Sequence, residues 1–111
     1  MDHKLKLMVV DDSPLFRTWL IRSLSADDRF QIVGYAVNAL DAQEKIPLLQ
    51  PDMLTLDIEM PGMSGIDFLK QLLPVHPIPV ILVSSLNLRV FDALEAGAVD
   101  FVRKPDEANG L

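Results

Sequence analysis

The chain has 111 residues, room for one buried core and one site but not for two domains. Half of its residues are apolar and 23% are charged, the balance of a compact soluble protein and not of a disordered tail. Sixteen Asp and Glu against ten Lys and Arg give a net charge of -6, which argues against direct binding of nucleic acid or anionic lipid, and the lack of cysteine excludes disulfides, a thiolate nucleophile and a zinc ribbon.

Taken in chain order, the apolar run Leu5 to Val10 reads as a first strand that Asp11 ends. It is too short for a signal-peptide core, and no stretch approaches the roughly 18 apolar residues of a spanning helix, so the cytoplasm is the expected compartment. Ser13 can cap a helix that takes Pro14 in its first turn, with Leu15, Phe16, Trp19, Leu20 and Leu24 as one apolar stripe. Phe30 to Ala36 reads as a second strand. Asn38 then opens a helix carrying Leu40, Ile46 and Leu49, which Pro47 is expected to kink or end early. Met53 to Leu56 is a third strand ended by Asp57, and Met60 to Gly65 is a loop by its Gly and Pro content. A helix follows from about Ile66 to Leu73. Val80 to Val83 is a fourth strand bounded by Pro79 and Ser84-Ser85; Val90, Phe91 and Leu94 mark a short helix that Gly97 can terminate. Phe101 and Val102 centre the last strand.

Apolar strands alternating with helices predict a parallel sheet covered on both faces, a doubly wound α/β fold. There are five strands but four helices, because only Asp106 to Leu111 follow Lys104-Pro105. A fifth helix is expected to be missing or truncated, leaving the single domain, residues 1–111, incomplete at its C-terminus. Apolar surface left open in that way would call for an output domain or a second copy to cover it.

In open parallel sheets, ligands sit beyond the carboxyl ends of the strands. That rule selects Asp11 and Asp12 after strand one, Asp57 after strand three, Ser84 after strand four and Lys104 after strand five. Three carboxylates in one place repel each other unless a cation compensates. Mg2+ suits them, being hard and commonly held by one or two carboxylates together with phosphate oxygens. His3 and His76 are too far apart in the chain to indicate a transition-metal site. A carboxylate beside Mg2+ can attack a phosphoryl group, with Lys104 neutralising the transferring oxygens and Ser84 donating to them. Asp57 is the candidate nucleophile because it stands alone, whereas the adjacent Asp11 and Asp12 suit metal binding. Taken singly, Asp11 and Asp12 could be helix caps, Asp57 and Ser84 turn residues, Lys104 a solvated charge and Phe101 core. The joint arrangement favours chemistry.

These residues carry a resemblance. The segments Val-Val-Asp11-Asp12-Ser-Pro, Leu-Thr-Leu-Asp57-Ile-Glu-Met-Pro-Gly, Val-Ile-Leu-Val-Ser84-Ser and Ala-Gly-Ala-Val-Asp-Phe101-Val-Arg-Lys104-Pro resemble the receiver domains of bacterial two-component response regulators. In detail they are most similar to the receiver half of chemotaxis-type protein-glutamate methylesterases. The resemblance implies the flavodoxin-like strand order 2-1-3-4-5. It implies that Asp57 accepts phosphate from a sensor histidine kinase, and that Asp11, Asp12, Asp57 and the backbone carbonyl of Glu59 hold Mg2+. It further implies that Ser84 and Phe101 act as switch residues that alter a partner-binding surface. The spacing from Ser84 to Lys104 is about four residues shorter than in methylesterase receivers, close to one helical turn. Methylesterase turnover is not expected from this chain, which lacks a second domain with a serine nucleophile. Three other readings remain open at this point. A flavodoxin shares the topology, but its flavin phosphate would meet Asp11-Asp12. A Mg2+-dependent phosphohydrolase usually spaces its aspartates two apart on strand one. An interaction module could retain the acids without switching.

Overall fold

The computed structural model describes residues 3–85 and 90–104. The first strand, β1 (Leu5–Val10), places Met8 and Val10 on one face and Leu7 and Val9 on the other, and all four are buried. Burial on both faces marks a central strand. It lies between β2 (Phe30–Ala36) and β3 (Met53–Asp57), and β4 (Val80–Ser84) and β5 (Asp100–Arg103) extend the sheet beyond β3. Every pairing is parallel and the order is β2-β1-β3-β4-β5. Val10 stands opposite Leu56, Leu56 opposite Leu82, and Ser84 opposite Arg103, so the carboxyl ends of four strands come level at one edge. The reversal of strand order falls between β1 and β3, and that crevice is where the acids lie.

The helices are α1 (Pro14–Ser25), α2 (Ala39–Leu49), α3 (Gly65–Leu72) and α4 (Val90–Glu95). Side-chain oxygens of Ser13, Asn38 and Ser64 cap the first three by accepting from the N–H of Phe16, Asp41 and Asp67. Gly97, at φ 106°, ends the turn after α4 with a conformation only glycine adopts without strain. The main core packs Ile46, Ile66, Phe68, Leu69, Leu72 and Ala93 against Met8, Val10, Leu54, Leu56 and Leu82. Among the described residues no helix is long and apolar enough to cross a membrane.

Two expectations are corrected. The second helix does not stop at Pro47 but runs on to Leu49, and Gln50 (φ 49°, ψ 56°) closes it by donating its N–H to the Ile46 carbonyl at 2.9 Å. Proline forfeits the N–H that would reach the carbonyl of Gln43. Gln43 and Pro47 are both exposed, so solvent can satisfy that oxygen and the ring meets no wall. The apolar stripe of α1 is only partly buried: Phe16 is 4% exposed, but Leu15 is 57% and Trp19 39% exposed. Helix geometry turns Leu15 about 100° away from Phe16, off the face that α1 lays against β1 and β2. The expectation of a missing fifth helix falls on residues 105–111, outside the described residues.

Candidate functional site

The backbone sets the acids before any ligand does. Asp11 extends the β1 ladder by donating its N–H to Ala36 at 3.0 Å, which directs its carboxylate off the strand end. Its Oδ1 accepts the Ser13 N–H at 2.8 Å, and Arg17 Nη1 donates to its carbonyl at 2.9 Å, fixing the turn into α1. At the end of β3, Ile58 donates its N–H to the Val83 carbonyl at 2.9 Å, and Gly65 donates to the Ile58 carbonyl at 2.9 Å. The start of α3 approaches so closely that a Cβ on Gly65 would lie 2.1 Å from the Asp57 carbonyl oxygen. Only glycine fits there, and the approach locks the Asp57 backbone.

Lys104 arrives from the opposite flank. Its N–H donates to the Ser84 carbonyl at 2.7 Å, carrying the β4–β5 pairing one residue past β5. Its ammonium lies 3.0 Å from Asp11 Oδ2 and 3.4 Å from Asp57 Oδ1, and 4.6 Å above the centre of the Phe16 ring. Asp11 and Asp57 are buried at 2% and 1% exposure, while Asp12 is exposed at the rim. Ligand oxygens of the three carboxylates lie within 4.8 Å of one another.

Burial is the largest influence on Asp57; with the Asp11 charge, and against the pull of Lys104, it pushes this carboxyl up to about 7, Glu59 adding to the rise. Burial works against the Lys104 ammonium too, yet the Asp57 and Asp11 carboxylates outweigh it and raise its pKa. One lysine therefore does not neutralise the pocket. Asp57 Oδ1 accepts the Glu59 N–H at 3.3 Å, but Oδ2 is buried with no hydrogen-bond partner among the described residues. A buried carboxylate oxygen left in that way is destabilising unless something binds it. An all-oxygen donor set with surplus negative charge and an orphaned oxygen fits a hard divalent cation such as Mg2+.

The structure thus brings Asp11, Asp12, Asp57 and Lys104 to one crevice, as the strand-end argument expects. Ser84 is fully buried beside it, and its Oγ donates to Glu59 Oε2 at 2.5 Å. Phe101 is half-buried on β5 opposite Leu82 and packs against the main core. Three contributions escape the sequence reading: the side chain of Glu59, a residue for which the resemblance implies only a role of the backbone carbonyl; the Phe16 ring under Lys104; and the close approach of Gly65. The spacing carries no signal for the first two, because each depends on where a side chain reaches across the fold. A glycine directly after Ser64, at a helix start, is a signal that could have exposed the third.

Comparison with known proteins agrees with this geometry. The family model of the response regulator receiver domain matches residues 7–111. A protein-glutamate methylesterase/protein-glutamine glutaminase from Syntrophomonas wolfei is 52% identical over 94% of this chain and 30% of its own length. One from Syntrophotalea carbinolica is 49% identical over 100% of this chain and 33% of its own length. The chain spans about a third of the length of these curated relatives. Among solved structures, the response regulator domain of Thermotoga maritima CheB superposes with a TM-score of 0.89 at 39% identity, over 98% of this chain and 84% of that one. A Borrelia burgdorferi CheX-CheY-BeF3-Mg2+ complex contains a chain matching at TM-score 0.80 and 30% identity, over 93% of this chain and 80% of that one. By sequence, strand order and superposition, the chain belongs to the response regulator receiver family.

Proposed function

We propose that this receiver is a phosphoacceptor in a two-component phosphorelay, taking a phosphoryl group from a sensor histidine kinase onto Asp57. The observation that carries the proposal is the buried, unpartnered Asp57 Oδ2, set beside Asp11, Asp12 and Lys104 at the switch point of the sheet. Asp11, Asp12, Asp57 and the Glu59 backbone carbonyl would hold Mg2+, whose double charge would keep Asp57 ionised at neutral pH and offset the oxygens of the arriving group. Asp57 attacks phosphorus, an O–P bond forms, and the bond to the donor breaks with its electron pair leaving on the donor. The Lys104 ammonium, held by Asp11 and by the Phe16 ring, neutralises charge on the transferring oxygens.

On this reading the Ser84 hydroxyl then turns toward the new phosphoryl oxygens, Phe101 shifts with it, and the surface around α4 and β5 changes. The output that reads this surface is proposed to be a methylesterase-type domain, as the names of the longer relatives suggest, in the cytoplasm. Exposed Leu15, Trp19 and Val102 support a covering partner on the α1 side. The test is intact-mass measurement after incubation with acetyl phosphate and Mg2+. Wild type gains the mass of one phosphoryl group and Asp57→Ala gains none. Equal gain by Asp57→Ala overturns the assignment.

A further inference from the structure

Hydrogen bonds from the end of β4 converge on one carboxylate. Ser84 Oγ donates to Glu59 Oε2 at 2.5 Å, while the Ser85 N–H and hydroxyl donate to Oε1 at 3.0 and 3.1 Å. Glu59 follows Asp57 by two residues, so this bridge closes the crevice from the β3 loop to the β4 end. A carboxylate presenting two anionic oxygens to adjacent donors makes the same demand on them as a phosphoryl group on Asp57 would.

We propose that Glu59 is a positioning residue acting through Ser84: in the unphosphorylated domain its carboxylate holds the Ser84 and Ser85 donors, and it must release them before a phosphoryl group on Asp57 can engage them. The proposal rests on the reading of Asp57 as phosphoacceptor. The Ser84 hydroxyl is fully buried and needs an acceptor in both states, and Glu59 supplies one in the first. Glu59 itself is exposed, so its released carboxylate returns to water at little cost, and the exchange is reversible. Glu59 thereby sets a threshold against which phosphorylation must act.

The test uses beryllium fluoride with Mg2+ as a phosphoryl-like probe, with affinity followed by fluorine NMR and the Ser85 amide by proton–nitrogen correlation spectra. Glu59→Ala removes the acceptor but keeps the backbone carbonyl. Glu59→Asp keeps the charge but is one methylene too short to bridge. Both are expected to bind the probe more tightly than wild type by roughly tenfold or more, the scale of losing a competing charged hydrogen bond. In both, the Ser85 amide resonance of the probe-free protein moves upfield, and in a Ser84→Ala background the gain from Glu59→Ala shrinks. The same spectra verify folding. Tighter binding by Glu59→Ala alone, with the Ser85 amide unmoved in Glu59→Asp, would mean that charge and not positioning is responsible, and the proposal fails. Unchanged affinity in both variants also overturns it while leaving Asp57 as phosphoacceptor. If wild type takes up no probe, or Asp57→Ala takes it up equally, the phosphoacceptor reading falls and this inference with it.

Discussion

Replacing Asp57 by Asn is expected to stabilise the metal-free domain at alkaline pH and to flatten its pH dependence. The Asp57 carboxyl is almost fully buried and stands at about 7 in the folded protein against an ordinary 3.8, burial being the main cause and Asp11 the next. The folded state therefore keeps a proton that the unfolded chain releases. The stabilisation from this group is fully present below about pH 4 and is lost as pH rises through about 7. About three units at about 1.36 kcal/mol each give a full swing of about 4 kcal/mol, of which about 2 to 3 kcal/mol falls between about pH 5 and about pH 8. Urea unfolding with a chelator present measures it, and with a slope of about 1–3 kcal/mol per molar the midpoint of wild type moves by about 1 M or more. Asp57→Asn lacks that movement and exceeds wild type at about pH 8 by about 2–4 kcal/mol. Millimolar Mg2+ raises the wild-type midpoint and leaves the variant unchanged. Parallel pH curves for the two proteins would refute the claim that burial, reinforced by the Asp11 charge, holds a proton on Asp57.

Lys104→Met, by removing the cation between Asp11 and Asp57, should destabilise the metal-free domain at about pH 8 by about 3 kcal/mol and raise the Asp57 pKa further; urea unfolding and carbon NMR of the carboxyl report each. Gly65→Ala places a methyl group against the Asp57 carbonyl oxygen and should cost about 3 kcal/mol in the same unfolding assay. Ser13→Ala leaves the Phe16 N–H without its cap acceptor and should lower stability by about 1 kcal/mol, with no change in the Asp57 pKa.

The strands were legible because each is a short apolar run closed by a polar or turn residue, and a buried parallel sheet tolerates little else. Their number and alternation with helices determined which residues meet, since parallel strands bring all carboxyl ends to one edge; Asp11, Asp12, Asp57 and Lys104 follow from that alone. The strand order came from the family resemblance and agrees with the sheet. Tertiary context hid the remainder. Pro47 lies inside a helix because its lost hydrogen bond faces water, which local propensity does not reveal. Leu15 and Trp19 repeat with helical period, but a stripe is buried only if something lies on it. The side chain of Glu59 crosses to residues 25 and 26 positions later in the chain, a connection visible only once β3 and β4 are paired.

Titration of the chain with Mg2+, following the carbon resonance of the Asp57 carboxyl, tests the central claim most directly. Saturable movement of that signal at millimolar Mg2+, absent for the same resonance in Asp11→Asn, is the predicted result. A resonance that ignores Mg2+ throughout would contradict the account, because the Lys104 ammonium offsets only part of the carboxylate charge gathered there.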